Sequence, residues 1–306
     1  TLDALVDFFR NPAQQFARDR LGLWLPRQEN DSSDDREPLQ VDGLDRWQVG
    51  SAVLDALRQG LTPEAAYAAV RGLGILPLGL AGDCAYEQIA ADASALFERA
   101  QTLCQNESRP PLEIDAVLEG VHLVGRIENV WPAGRVDLRF SKLGSVSELE
   151  NWIQHLVLCA FAPDDWPRTS PQLGPSEKRG VQLGHITFVP VEEARVRLSE
   201  LVATQRRGQL RVLPFFPRTS RKYVETFERS RQADPARHAM LDAYDTWRTR
   251  ERSRGESEDL YWARLFVDQD PLALKASADA DEDNDSFSSL ARRVYGPLLA
   301  HREEGT

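Results

Sequence analysis

The hydrophobic pattern of the first hundred residues is helical. Leu2, Leu5 and Phe9 recur at intervals of three or four residues until Pro12 interrupts the series, which predicts two helices hinged at that proline. Asp83 is expected to cap a long helix further along the chain. The helices predicted after the first two cover 44–59, 63–71 and 83–104.

The pattern changes to that of strands after Pro110. Apolar and polar residues alternate in three segments around a turn at Pro132-Ala-Gly134, so we predict a three-stranded meander over 112–118, 121–130 and 136–140. The rest of the chain is predicted to contain a helix from Ser147, a loop over 163–175, a strand over 181–189, a helix over 191–205, a strand over 210–213 and three further helical stretches. Helices that alternate with strands indicate a mixed α/β fold.

The segment after residue 20 is predicted to contain a short strand followed by a polar loop. Leu21, Leu23 and Leu25 alternate with other residues and predict a short strand. Residues 27–37 hold five acidic residues and only two arginines, a composition that cannot bury a core, so an exposed loop is predicted.

Length and charge limit the class of protein. The 306 residues are 42% hydrophobic, which is enough for a substantial core, and no apolar run reaches the roughly 20 residues that cross a bilayer. The net charge of −11 excludes a uniformly basic surface, so any contact with nucleic acid must be local. Because the chain opens at Thr1, we expect it to be a piece of a longer protein.

The common motifs for metals and cofactors are missing from the sequence. The three cysteines share no CxxC spacing, so we expect neither disulfide nor zinc, and a reducing cytoplasm fits. The five histidines never pair at ligand spacing. The glycine-rich segment Gly72–Gly82 follows a helical pattern and lacks a third glycine at dinucleotide-loop spacing, so it is interpreted as a structural loop. We expect no cofactor.

The predicted meander carries the pattern nearest to a catalytic site. A metal-dependent nuclease of the PD-(D/E)xK kind needs an acid on one strand and an acid-x-lysine on the next, so that two carboxylates hold Mg²⁺. Glu128 supplies the first acid and Lys142 the lysine, but Phe140 stands where the second acid belongs. Asp137 is a poor substitute because period-two alternation points it to the face opposite Phe140. We therefore predict no metal and no catalytic residue here.

A basic segment stands out in this acidic chain. Residues 204–231 hold eight arginines or lysines against two glutamates, a net charge of +6, with four aromatic residues interleaved. Such a mixture suits phosphates and stacked bases of a single strand, but the aromatics can equally be core and the arginines a solvated or ion-paired face. The candidate nucleic-acid contacts are Arg206, Arg207, Arg218, Arg221, Lys222 and Lys142.

Several longer segments resemble the C-terminal region of the RecC family, the gamma subunits of the bacterial RecBCD exonuclease (exodeoxyribonuclease V). These segments span most of the chain in the expected order, which makes them more specific than any one short motif. They are Leu2–Pro12 with Arg20–Leu23, Glu37–Gln48, Leu76–Gly82, Trp152–Ala160 and Asp259–Phe266.

The resemblance implies an α/β fold like that of PD-(D/E)xK nucleases, a mixed sheet flanked by helices, in which the active site is lost. It implies one domain over 1–306, with N-terminal helices and an acidic loop in 1–41 and the nuclease-like core and C-terminal helices in 42–306. Trp47 stands where active relatives place a histidine, and Asn11 stands where a related family anchors an iron–sulfur cluster by cysteine. Lys142 keeps one residue of the lost triad.

The function that the resemblance implies is a non-catalytic scaffold for DNA double-strand break repair. Such a domain guides single-stranded and forked DNA and docks RecB and RecD in a cytoplasmic heterotrimer. Two alternatives stay open: an active metal-dependent nuclease that uses Glu128, Asp137 and Lys142, and a protein-interaction module without DNA contact.

Overall fold

The first third of the chain is helical. The computed structural model describes residues 1–26, 41, 43–176, 183–249, 254–273 and 285–305. Asn11 ends the first helix and caps the second, where its side chain accepts a hydrogen bond from the amide of Gln14 at 2.9 Å, so the predicted hinge at Pro12 is confirmed. The helices here are α1 (Leu2–Arg10), α2 (Pro12–Leu21), α3 (Gly43–Arg58), α4 (Pro63–Gly72) and α5 (Leu80–Leu103).

The strands form three separate sheets in the described residues. They are β1 (Leu112–Leu118), β2 (Val121–Ile127), β3 (Val130–Trp131), β4 (Gly134–Arg135), β5 (Asp137–Leu138), β6 (Ser170–Pro175), β7 (Leu183–Phe188) and β8 (Arg302–Glu304). Strands β1 and β2 pair, β3 and β4 pair, and the remaining four form a sheet in the order β5-β6-β7-β8. Among the strand pairs that the structure describes, only β5 and β6 run parallel.

The predicted three-stranded meander is wrong. Its third segment does not continue the β1-β2 hairpin but pairs with β6, so that Asp137 lies opposite Gln172. The short hairpin β3-β4 separates the two, and Gly134 turns the chain there with φ of +130°. The mixed α/β class predicted from the sequence is confirmed.

Six further helices complete the described part of the chain. They are α6 (Ser145–Phe161), α7 (Ala194–Gly208), α8 (Pro217–Arg229), α9 (Pro235–Trp247), α10 (Leu260–Leu265) and α11 (Phe287–Ala300). Helix α6 makes the crossover that a parallel pair requires, between β5 and β6. Nowhere in the ranges given above does a helix combine the length and apolarity needed to cross a bilayer.

Strand β6 contradicts the loop predicted over 163–175. Its sequence, Ser-Pro-Gln-Leu-Gly-Pro, favours a loop because proline lacks the amide that a ladder uses. The strand is tolerated in the middle of the sheet because β5 meets it only at Gln172 and Leu173, which leaves both prolines with a paired strand on one side only.

Four other predictions also fail or cannot be compared. Residues 22–26 and 211–216 are irregular rather than strands, and α5 begins at Leu80 after Gly79, so Asp83 is not its cap. The predicted acidic loop over 27–37 lies outside the described residues.

Of three apolar clusters in the described residues, the two larger ones organise most of the packing. The larger one joins α1, the β1-β2 hairpin, α6, α7, α8 and α11, and its largest fully buried side chains include Phe9, Trp152 and Tyr295. The second cluster lies between α3, α4 and α5 and includes Val53, Ile89 and also Phe140 from the end of the β5 segment. Phe140 therefore belongs to the cluster of the helices α3–α5.

Phe140 packs into a notch on α3. A Cβ added at Gly50 would overlap the Phe140 ring, so only glycine leaves room for the ring at that position. The ring is 6% exposed, and the Cζ of Arg46 lies 5.9 Å from its centroid. Gly50 and Phe140 are therefore complementary in volume.

We expect Gly50→Ala to lower the free energy of unfolding by about 1–3 kcal/mol, the usual cost of overpacking a filled core. Urea unfolding followed by circular dichroism measures this change. Gly72→Ala is the control, because a Cβ at that helical position meets nothing within 4 Å. Equal stability of the two variants would show that the ring does not need the notch.

Candidate nucleic-acid interface

The segment that begins with β5 has two chemically different faces. Leu138 and Phe140 belong to the apolar cluster of α3–α5. Asp137 and Arg139 belong to the other face, where the Arg139 Nε donates to Asp137 Oδ2 at 2.9 Å. The alternation predicted for Asp137 and Phe140 is confirmed.

The residues predicted to mark a lost metal site do not share one environment. Glu128 follows β2, its side chain is 46% exposed, and it pairs with Arg126 at 3.0 Å. Phe140 is buried among helices, and Trp47 on α3 is 45% exposed. Lys142 is exposed just before α6.

The second acid of the active-nuclease alternative is engaged in hydrogen bonds. Asp137 accepts from Gln172 Nε2 at 2.7 Å as well as from Arg139, and its side chain is 15% exposed. Across the described ranges, no group of three His, Cys, Asp or Glu side chains is arranged to hold a metal ion.

Four of the six predicted nucleic-acid contacts lie around one cleft. Lys142, Arg218, Arg221 and Lys222 line a hollow of about 580 Å³ between the first turn of α6 and the first half of α8. Arg139 lines it as well, together with the carboxylates of Glu150 and Glu225. We call this hollow the α6–α8 cleft.

Two of the cleft arginines are held by ion pairs. Arg221 lies 3.2 Å from Glu148 and 2.9 Å from Glu225, and Arg139 lies 3.0 Å from Glu150. Burial lowers the pKa of the Arg221 guanidinium, but the two glutamates outweigh burial and leave its pKa raised. These arginines therefore fix the walls of the cleft and carry little uncompensated charge.

The other three cations are available to a ligand. Lys142 is exposed and forms no ion pair with any residue that the structure describes. Lys222 is 46% exposed in its side chain and lies 3.2 Å from Asp242 at the surface. The Arg218 guanidinium donates to the carbonyl of Arg254 at 3.3 Å, and its charge acts to lower the pKa of the Glu256 carboxyl, which burial raises.

Arg206 and Arg207 lie outside the cleft, at the end of α7. Arg206 donates to the carbonyl of Glu119. Arg207 lies 3.1 Å from Asp285, whose side chain is 5% exposed and also pairs with Arg211. The basic segment is thus divided between two places, and Arg207 is engaged with a buried carboxylate.

The aromatic residues of the basic segment are core. Phe215, Phe216 and Tyr223 are each at most 3% exposed, and Phe227 is partly buried against the same cluster. They are not placed to stack on bases at the surface, so the alternative in which the aromatics of this segment are structural is the correct one.

Comparison with known families settles which family this sequence fits. The family model described as the RecC C-terminal domain matches residues 1–228, about three quarters of the chain. The chain belongs to the RecC C-terminal domain family.

Curated relatives with the same name cover nearly all of this RecC-family chain. It is 26% identical over 292 residues to the RecBCD enzyme subunit RecC of Escherichia coli, which covers 92% of this chain and 25% of that protein. It is 27% identical over 307 residues to the subunit of Mycobacterium tuberculosis H37Rv, which covers 98% of this chain and 27% of that protein. The chain therefore spans about a quarter of the length of these RecC subunits.

Two residues that shape the cleft of this RecC-family chain were not predicted. Arg139 follows β5 beside an apolar neighbour, and Glu148 lies inside α6. Burial raises the pKa of the Glu148 carboxyl, although Arg221 and Arg302 act in the opposite direction. The signal for Arg139 was its alternation with Phe140, whereas nothing in the local sequence marks Glu148 as buried.

Helix α6 also carries a buried polar face toward β6. His155 is fully buried, with its Nδ1 2.9 Å from Ser170 Oγ and its Nε2 3.0 Å from the carbonyl of Val189. Asn151 accepts from the buried Arg135 guanidinium at 2.6 Å. Burial lowers the pKa of His155 to about 4.

We expect a pH dependence of stability from His155. Its folded pKa of about 4 lies below the ordinary value of 6.5, so the unfolded chain takes up the proton more readily. The contribution of His155 is fully present above pH 6.5 and falls by about 3 kcal/mol as the pH drops toward 4. Urea unfolding at a series of pH values should therefore give a flatter profile for His155→Asn than for the wild type.

His122 provides the control for this measurement, because it is exposed on β2. His122→Asn should keep the wild-type slope between pH 6.5 and 4. If His155→Asn kept that slope too, the buried imidazole would not be the group responsible.

Proposed function

We propose that this chain is a non-catalytic, nuclease-like domain of a RecBCD-type enzyme that contacts a DNA strand and docks neighbouring subunits. The observation that carries the proposal is that four of the predicted basic residues line one cleft in a chain of net charge −11. The relatives' name, RecBCD enzyme subunit RecC, supports the setting. The proposal treats 1–306 as one domain, since α1 packs into the main core with α6 and α7.

The loss of catalysis is the second part of the proposal. In this proposal Glu128, Phe140 and Lys142 of the chain occupy the three motif positions of a PD-(D/E)xK nuclease. Phenylalanine cannot ligate Mg²⁺, and the nearby Asp137 is engaged with Arg139 and Gln172. A metal site at these positions would need a second oxygen ligand on the side where Phe140 packs against α3.

The α6–α8 cleft is suited to the backbone of a DNA strand. Lys142, Arg218 and Lys222 present cations that surface partners compensate weakly or not at all, and attraction to phosphates is strongest for such charges. Helix α8 has 13 residues and is therefore about 20 Å long, enough to follow a few nucleotides. With its aromatics buried, the segment can hold a strand by its phosphates and not by base stacking, so binding should be independent of sequence.

In this proposal the domain acts inside a cytoplasmic heterotrimer. RecB and RecD are the proposed neighbours, and separated strands of a forked duplex are the proposed DNA. Of the predicted contacts, Lys142, Arg218 and Lys222 bind phosphate, and Arg221 positions the wall of the cleft. Arg206 and Arg207 lie outside the cleft, at the end of α7.

Charge reversal in the cleft should weaken DNA binding. We expect Lys142→Glu combined with Lys222→Glu to reduce the affinity for a labelled single strand and to lower the slope of log affinity against log salt by about one for each cation removed. Fluorescence anisotropy at several salt concentrations measures both quantities, and circular dichroism confirms folding.

Arg264→Glu combined with Arg237→Glu is the matched control, because both arginines are exposed and lie outside the cleft. The control should bind with a salt slope close to that of the wild type. Equal losses in the two double variants would indicate a general effect of net charge and would remove the cleft from the proposal.

The chain should not cut DNA. With Mg²⁺ or Mn²⁺ we expect no cleavage of single-stranded or double-stranded substrates above that of a mock preparation, and Glu128→Ala should leave this background unchanged. Gel analysis of end-labelled DNA is the measurement. Metal-dependent cleavage that disappears in Glu128→Ala would support the active nuclease instead.

A further inference from the structure

Helices α4 and α5 leave a groove on the side of the molecule formed by the second apolar cluster. The groove has a volume of about 620 Å³, and Tyr67 and Tyr86 line its floor with ring centroids 4.8 Å apart. Both rings are fixed by their hydroxyls, since Tyr86 donates to the carbonyl of Pro63 and Tyr67 donates to Asp83. The floor is thus a rigid aromatic surface.

The rim of this groove is acidic. Glu64, Asp83 and Glu87 line it, against the single cation Arg71. Glu64 and Glu87 are exposed and form no ion pair with any other residue in the described part of the chain. An aromatic floor between uncompensated carboxylates attracts a ligand that is both apolar and positively charged.

Three exposed leucines stand at one end of the groove. Leu73, Leu78 and Leu80, in and beside the turn between α4 and α5, are 55%, 71% and 77% exposed. The turn is held in shape, because Gly79 has φ of +66° and a Cβ at Gly82 would overlap the carbonyl oxygen of Pro77. The turn therefore presents its leucines on a fixed backbone.

A second hollow, lined by Leu78 of these three leucines, shares part of its lining with the groove. It has a volume of about 350 Å³ and lies under Leu76 and Leu78, and Tyr67 and Arg71 line both hollows. From Asp83 to Ser94 the groove follows α5 for about 17 Å, close to the length of a three-turn helix. Apolar surface and acidic rim therefore form one continuous surface.

We propose that this α4–α5 groove is a docking site for a basic amphipathic helix of a partner protein. The apolar side of such a helix covers the tyrosines and leucines, and its lysines or arginines pair with Glu64 and Glu87. The carboxylate rim repels phosphates, so the groove is separate in chemistry from the basic α6–α8 cleft, and this inference does not depend on DNA binding there.

A charge-swap experiment tests the docking site. The probe is a fluorescein-labelled amphipathic peptide built from leucine and lysine, with a second peptide in which glutamate replaces lysine. We expect the full chain to bind the lysine peptide, and Glu64→Lys combined with Glu87→Lys to weaken that binding by about tenfold or more while gaining affinity for the glutamate peptide. Fluorescence anisotropy gives the dissociation constants.

Glu113→Lys with Asp115→Lys is the matched control, since it makes the same change of charge on exposed residues of β1. It should leave both affinities close to those of the wild type. Equal weakening by the control and groove variants, or no binding of the lysine peptide to the wild type, would overturn the proposal.

The leucines give a second, independent measurement. Leu78→Ser with Leu80→Ser should weaken binding of the lysine peptide at low and at high salt, because the lost contact is apolar. Both residues are exposed, so the change should not unfold the chain. The other candidate occupant is a second copy of this chain, and light scattering tests for it. A wild-type dimer that becomes a monomer in the variant with Glu64→Lys and Glu87→Lys would show that a second copy fills the groove, against the proposal.

Discussion

The buried carboxylate of Glu148 joins parts of the chain that are far apart in sequence. Its side chain is 1% exposed and meets Arg221 of α8 at 3.2 Å and Arg302 of β8 at 2.9 Å. Loss of one partner of a buried pair leaves a charge without compensation, which typically costs 3–5 kcal/mol. The position of α8 beside the first turn of α6, and with it the form of the cleft, depends on this interaction.

The two faces of residues 137–140, the segment that begins with β5, contact two different environments. On one side Leu138 and Phe140 complete the apolar cluster of the helices, and on the other Asp137 and Arg139 join a network of charges with Glu150. The apolar side carries the groove between α4 and α5, and the charged side borders the cleft. One short segment thus lies between an acidic surface and a basic one.

The sequence predicted most helices and the local charges, because both depend on neighbours along the chain. The hinge at Pro12, the β1-β2 hairpin and the alternation of Asp137 with Phe140 follow from spacing alone. Pairing between distant segments did not follow, and the parallel partner of β5 was missed because Pro171 and Pro175 made β6 resemble a loop. The basic residues of the cleft could be predicted individually from the sequence. That they meet in one cleft could not, because this depends on contacts between segments far apart along the chain.

The mutual fit of Phe140 and Gly50 bears on how this family can change over time. An acid at position 140 would leave a void beside α3 and would place a carboxylate among the apolar side chains of the helical cluster. Each effect opposes folding, so a larger side chain on α3 would have to arise together with the acid. Replacement of Phe140 by a carboxylate is therefore obstructed, since neither of the two changes is tolerated without the other.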